Sequence, residues 1–150
     1  MATAKEFLDR EDASWAAFAE QVERVPEDRR ETPGVVGQWT LKDVVWHCVY
    51  WARFAADHLV KEGDGPYTDP FAGQPDEHWD AVNAEIAEAS SAMSWDDVWS
   101  GTAEAREVLR HAIVRPGLPP EPVDFAAEES WVHYDEHGAE VRAFADALGR

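Results

Sequence analysis

The clearest helical signal of the sequence lies at residues 39–61, which read WTLKDVVWHCVYWARFAADHLVK. Thr40 and Asp43 have the spacing of a capping box, and the apolar side chains after them recur with the 3.6-residue period of an amphipathic helix. This pattern predicts a helix over residues 41–61, which glycines and a proline at 63–66 bring to an end. The face predicted to point inward carries Val44, His47, Cys48, Trp51, Phe54, Ala55 and His58.

Similar patterns place four more helices along the chain. Thr3 with Glu6 and Ser94 with Asp97 repeat the capping signal, and the predicted helices span residues 3–25, 41–61, 76–89, 95–114 and 127–148. Residues 116–122, with four prolines, are expected to form a rigid loop. No segment alternates strictly between apolar and polar residues, so no sheet is expected. We therefore predict one all-α domain over residues 1–150, an up-down-up-down four-helix bundle whose long connection between helices 2 and 3 contains the short extra helix.

Composition narrows the classes of partner. The formal net charge of -18 argues against nucleic acid and against anionic membranes, because both require a basic surface. No apolar run approaches the roughly 18 residues that a membrane span needs, and the first residues lack the apolar segment of a signal peptide. Cys48 is the sole cysteine, so no internal disulfide forms. These features predict a cytoplasmic protein; they do not identify its substrate, and they leave open whether it is a monomer or a homodimer.

Three histidines form the candidate metal site. His133 and His137 are four residues apart, so they lie one turn apart on one face of the last helix, which is the geometry of a helical H-x-x-x-H zinc site. His47 faces inward on the second helix. It lies about two turns from its helix start, as does the midpoint of the pair, so the three meet at one level if these two helices run in the same direction. Three neutral nitrogen ligands would leave one coordination position open for chemistry.

The residues alone leave a second interpretation open, in which the three histidines are core side chains satisfied by hydrogen bonds. Glu136 is a candidate base beside the metal and Tyr134 a candidate pocket residue, although a solvated helix face and packing against a neighbouring helix explain them equally well. Trp39 and Trp51 are candidate walls of a small-molecule pocket. His58, His78, His111 and Cys48 are expected to have structural roles.

The segment Trp39–His47, followed by Trp51 and by the late His133 and His137, resembles the two motifs of the DinB-like superfamily. The resemblance covers most of the chain and implies a four-helix bundle in which His47, His133 and His137 hold a divalent metal such as zinc or nickel. Characterised relatives include transferases and isomerases that use the thiols mycothiol or bacillithiol. Two subgroups compete, one similar to the N-terminal domain of mycothiol-dependent maleylpyruvate isomerase and the other to colibactin self-resistance proteins.

The resemblance implies a metal-dependent small-molecule enzyme. It would be a thiol S-transferase or a hydrolase that detoxifies an electrophile, with a low-molecular-weight thiol as co-substrate in the first case. The alternative is a non-catalytic binding protein that sequesters a small molecule in a pocket of the bundle core.

Overall fold

A computed structural model describes residues 3–149; residues 1, 2 and 150, which the predicted domain includes, lie outside them. The described part is all-helical and has no strand, which confirms the all-α bundle. Its helices are α1 (Ala4–Glu23), α2 (Leu41–Glu62), α3 (Asp76–Ser91), α4 (Trp95–Ile113), α5 (Pro120–Glu128) and α6 (Trp131–Leu148), with a short 3-10 turn at Glu27–Arg29. α3 is the short extra helix predicted in the long connection, and it packs on α2. Within residues 3–149 no helix has the length and apolar character that a membrane crossing requires.

The predicted capping residues determine where three helices begin. Thr3 and Thr40 each form a complete capping box with the residue three positions later, so two backbone donors at each helix start are satisfied. Ser94 accepts a hydrogen bond from the backbone N–H of Asp97 at the start of α4. The position of Asp43 three residues after Thr40 is therefore explained by its role in capping α2.

α1 and α6 run in the same direction. Arg10 pairs with Asp135 near the start of both helices, and Arg24 pairs with Asp146 near the end of both. Matching starts and matching ends define a parallel pair.

α4 runs antiparallel to α1. The carbonyl of Leu8 accepts a hydrogen bond of 3.3 Å from Arg110 near the end of α4, whereas Trp15, further along α1, stacks on Trp99 near the start of α4 with ring centroids 5.6 Å apart. α1 and α4 therefore cross the bundle in opposite senses.

α2 runs parallel to α4. Arg53 pairs with Glu104, and the carbonyl of Leu59 accepts from Arg115 just beyond the end of α4. The order of directions is therefore up-down-down-up, and the predicted up-down-up-down order is wrong. The physical reason is the length of the connection: residues 63–94, including α3, carry the chain back along α2, so that α4 begins beside the start of α2.

The predicted last helix is broken into α5 and α6. Pro120 and Pro122 lie in the first turn of α5, where a helix needs no backbone donor, so the prolines expected to form a loop instead begin a helix. The break falls at Glu129–Ser130, and the backbone of Ser130 is not helical. α5 covers the second half of α2, where Phe125 contacts His58 with ring centroids 5.3 Å apart, and α6 covers the first half.

Candidate functional site

The structure brings His47, His133 and His137 together between α2 and α6. The ring centroid of His47 lies 5.1 Å from that of His133 and 5.0 Å from that of His137, and the two rings of α6 are 5.8 Å apart. Three imidazoles that bind one zinc ion in tetrahedral directions through Zn–N bonds of about 2.0–2.1 Å have centroids about 5 Å apart. The helices thus place the rings at the separations that one metal ion requires.

The nitrogen atoms of these rings are not yet arranged as ligands. Across residues 3–149, no set of three or more His, Cys, Asp or Glu side chains has its ligand atoms already placed to hold a metal ion. Because the ring separations already fit, metal binding would require rotation of the imidazoles rather than movement of the helices. The role of the three histidines as ligands stays a prediction.

Burial keeps two of these histidines neutral. Burial first, and then the neighbouring His133 and His137, lower the pKa of His47 to about 3. Burial and His137 lower the pKa of His133 to about 4, and the backbone of Glu129 acts in the opposite direction. At neutral pH both rings keep a free lone pair, which is the protonation state that a metal ligand needs.

The same two rings carry unsatisfied polar atoms. Within the described residues, Nδ1 of His47 and Nδ1 of His133 are buried and form no hydrogen bond of standard geometry, although the backbone of Glu129 lies close enough to the His133 ring to raise its pKa. A buried polar atom without a partner costs about 1–3 kcal/mol. The interpretation of the histidines as hydrogen-bonded core residues does not explain these two nitrogens, whereas a bound ion or water would satisfy them.

Glu140 orients the third histidine. Its Oε1 lies 3.0 Å from Nδ1 of His137. A carboxylate only accepts hydrogen bonds, so Nδ1 of the neutral ring carries the hydrogen and Nε2 keeps the lone pair. Carboxylate partners of this kind fix the ring orientation of metal-binding histidines. Sequence reasoning missed Glu140, although its position three residues after His137 places it on the same helix face.

Two tryptophans predicted to line a pocket flank His47. The ring centroid of Trp39 lies 5.2 Å from that of His47, and the centroid of Trp51 lies 6.4 Å away. The indole N–H of Trp51 donates to Oδ1 of Asn83 on α3 at 3.0 Å, which holds the ring in place. Their role in binding a substrate stays a prediction.

Among the described residues, no hydrogen bond, ion pair or ring contact joins the histidines to either of the two predicted catalytic residues, Tyr134 and Glu136. Tyr134 is buried in the core, where its ring centroid lies 5.3 Å from that of Trp15 and 6.0 Å from that of Phe18, and the buried carboxylate of Glu11 interacts with it. Its surroundings belong to the interface of α1, α4 and α6, and its role as a catalytic group stays a prediction. Glu136 lies on the exposed face of α6, and its role as a base stays a prediction.

The remaining candidates have structural environments. His58 donates through Nε2 to the carbonyl of Thr68 at 2.8 Å and anchors the segment after α2. His78 and His111 are exposed. Cys48 is buried, and burial raises the pKa of its thiol, so this cysteine is not a nucleophile at neutral pH.

Glu129, at the break between α5 and α6, is a further residue that sequence reasoning missed. Burial, followed by the nearby charges of Glu128 and Asp69, raises the pKa of Glu129 to about 7. The residue lies one turn before His133. No sequence signal marks it, because the raised pKa arises from burial and from charges that the fold brings near it.

Replacing Glu129 with glutamine should change how stability depends on pH. Between the unfolded pKa of 4.5 and the folded pKa of about 7, the folded protein keeps a proton that the unfolded chain releases. The free energy of unfolding therefore falls as pH rises through this window, by about 3 kcal/mol in total. Urea denaturation at pH 5 and pH 8 should show this loss in the wild type but not in Glu129→Gln. An unchanged pH dependence in Glu129→Gln, with exposed Glu107→Gln as control, would contradict the assignment.

Comparison with known proteins supports the fold. No protein-family model and no curated protein matches this chain. A crystal structure of an uncharacterised protein from Escherichia coli UTI89 is similar over 98% of this chain and 95% of that chain, with a TM-score of 0.79 and 12% sequence identity. At this identity the likeness shows a shared helical fold alone.

Proposed function

We propose that His47, His133 and His137 hold a divalent metal ion, zinc or nickel, and that the protein is a metal-dependent enzyme acting on a small electrophile. The observation that carries this proposal is the convergence of three imidazoles at ring separations of 5.0–5.8 Å, two of them with a buried nitrogen that forms no hydrogen bond of standard geometry. The donor set of three neutral nitrogens suits both ions.

The chain supplies the environment of the reaction. The neutral rings of His47 and His133 provide lone pairs, and Glu140 fixes the orientation of His137. Trp39 and Trp51 flank His47 with apolar rings. A divalent metal with an open position supplies one element of chemistry, since it lowers the pKa of a water or thiol bound there.

The DinB-like resemblance supports the choice of reaction. It favours an S-transferase that joins a mycothiol- or bacillithiol-type thiol to an electrophile, with a hydrolase as the other reaction of the same site. A cytoplasmic location, where such thiols stay reduced, belongs to this proposal. In the transfer reaction the thiol would release its proton to solvent, its sulphur would form a bond to the electrophilic carbon, and the leaving group would depart with its bonding electrons.

A non-catalytic sequestration protein is the second candidate. The observation that favours it is the position of Tyr134 in the core and of Glu136 on an exposed face, because neither predicted catalytic group is held against the histidines. Such a protein would bind its ligand in the bundle without turning it over.

Metal analysis of protein purified without an affinity tag, followed by a turnover assay, separates these candidates. An enzyme should contain about one metal ion per chain and consume many equivalents of 1-chloro-2,4-dinitrobenzene in the presence of mycothiol, or of an activated ester in its absence. A sequestration protein should instead remove only one equivalent of the electrophile per protein chain, without turnover. Protein that contains no metal after growth and dialysis with zinc and nickel would contradict the proposal.

A further inference from the structure

His47 differs from His137 in what orients its ring. Oε1 of Glu140 lies 3.0 Å from Nδ1 of His137, and a hydrogen-bonded carboxylate of this kind fixes the rotation of an imidazole. Among the residues that the structure describes, none forms a hydrogen bond with Nδ1 of His47, although this atom is buried. The rotation of the His47 ring therefore depends on the side chains that pack against it.

Two indole rings pack against His47. The ring centroid of Trp39 lies 5.2 Å from that of His47 with 45° between the ring planes, and Trp51 meets the imidazole edge-on at 6.4 Å and 67°. Because packed side chains transmit displacement to their neighbours, the positions of these indoles determine which rotations of the imidazole are open. The indoles thus have the orienting role at His47 that Glu140 has at His137.

Trp39 is fixed by its own backbone. Its N–H donates to the carbonyl of Val36 at 2.8 Å, and its carbonyl accepts from the N–H of Val35 at 2.9 Å. These two bonds close a tight turn just before α2, so the position of Trp39 depends on contacts within five residues of sequence.

Trp51 is fixed by a different helix. It is buried on α2, one turn after His47, and the only polar atom of its side chain is the indole nitrogen. The indole N–H donates to Oδ1 of Asn83 on α3 at 3.0 Å. The other ring contacts of Trp51 are aromatic and give the N–H no acceptor: Tyr50, Phe54, Phe71 and Trp79. Asn83 is therefore the contact that sets the direction of this indole.

A second polar contact ties α3 to α2 without involving an indole. The hydroxyl of Ser90, at the end of α3, donates to Oδ1 of Asp43 in the first turn of α2. Ser90 and Ile86 are the buried residues of α3. Ser90 thus holds the helix in place, whereas Asn83 in addition holds Trp51.

We propose that Asn83 is a positioning residue of the metal site. By holding the indole of Trp51, it fixes the rotation of His47 in which the imidazole binds the metal. This inference rests on the proposed metal site, and it makes α3 a part of that site's control rather than only a cover for α2.

Two substitutions of Asn83 test its role as an acceptor. Asn83→Leu keeps the size of the side chain but offers the indole N–H no acceptor, and it should weaken zinc binding by about tenfold. It should also shift the ligand-field absorption bands of the cobalt(II)-loaded protein, because these bands respond to the directions of the ligand nitrogens. Asn83→Asp keeps Oδ1 and should restore both the zinc constant and the bands.

Ser90→Ala is the matched control. It removes the other polar contact between α3 and α2, so it should lower the free energy of unfolding in urea. It should leave the zinc constant and the cobalt(II) bands as they are in the wild type. A loss that came only from looser docking of α3 would appear in both variants.

A double-mutant cycle tests whether Asn83 acts through Trp51. Trp51→Phe removes the indole N–H and should itself weaken zinc binding. In that background Asn83→Leu should cause no further loss of zinc affinity, because the contact that it breaks is already absent.

The outcomes separate this inference from the proposed function. If the wild type binds neither zinc nor cobalt(II), the metal site is wrong and the inference fails with it. The metal site stands and the inference is overturned if Asn83→Leu binds zinc as the wild type does, or if Ser90→Ala changes the zinc constant and the bands equally. The same holds if the effect of Asn83→Leu persists in Trp51→Phe.

Discussion

Replacement of His137 with alanine should lower the affinity of the protein for zinc by more than about 100-fold. Loss of a hydrogen-bonding partner behind a metal ligand already costs about 10–100-fold in affinity, and loss of a ligand removes the metal bond itself.

Glu140→Gln should therefore weaken zinc binding by about 10–100-fold, because its amide is a poorer acceptor for Nδ1 of His137. Competition with a chromophoric chelator measures both constants, and exposed His78→Ala is the control that should bind zinc as the wild type does.

The stability of the metal-free variants distinguishes this site from a hydrogen-bonded core. His47 and His133 each bury a nitrogen that forms no hydrogen bond of standard geometry, so their rings are a cost to the metal-free fold. His133→Phe, which fills the space without a polar atom, should leave the metal-free protein as stable as the wild type or more stable, while abolishing zinc-induced stabilisation. If metal-free His133→Phe instead has a free energy of unfolding several kcal/mol below that of the wild type, and binds zinc as the wild type does, the histidines are structural.

The sequence predicted the convergence of the histidines, but the reasoning about helix direction was wrong. His47 was expected to meet His133 and His137 because His47 and the midpoint of that pair each lie about two turns from the start of their helix, and the two helices were expected to be parallel. In the structure α2 and α6 are antiparallel, and the rings meet because α5 takes the place opposite the second half of α2. The break at Glu129–Ser130 thus starts α6 opposite His47. The sequence did not reveal α5, because the prolines of residues 116–122 are compatible both with a loop and with a first helical turn.

Periodicity predicts which face of a helix is buried but not which neighbour covers it. For Tyr134 the sequence left two positions open, one in a pocket and one packed against a neighbouring helix, and only the parallel pairing of α1 and α6 brings it to Phe18 and Glu11. The direction of α4 depends on the path of residues 63–94, which contain no strong local signal beyond α3. Local caps, by contrast, were predicted at Thr3, Thr40 and Ser94 because all their partners lie within three residues.

Glu11 is the clearest example of a buried group with no local sequence signal. It lies on α1 and is fully buried, with two hydrogen bonds of 2.7 Å from Arg106 of α4 and one of 2.9 Å from Arg110. Arg106 also stacks over the ring of Trp15 at 5.1 Å. These contacts join helices that are far apart in sequence, so only the fold reveals them.

Replacement of Arg106 with methionine should destabilise the protein by about 3 kcal/mol. Methionine keeps an apolar side chain against Trp15, but it leaves the buried carboxylate of Glu11 with Arg110 alone, and removal of one partner of a buried ion pair costs about 3–5 kcal/mol. Guanidinium denaturation measures the change. Lys5→Met breaks an exposed pair with Asp9, so as a control it should cost less than about 0.5 kcal/mol.

The Glu11→Met/Arg106→Met double variant isolates the cause. Removal of both charges takes away the uncompensated carboxylate, so the double variant should recover most of the stability that Arg106→Met loses. If the double variant is instead less stable than Arg106→Met, the pair contributes net stability and the cost does not arise from an uncompensated charge. If Arg106→Met lowers the free energy of unfolding as little as Lys5→Met does, Glu11 is not held as a buried charge. The interface between α1 and α4 then depends on aromatic packing alone.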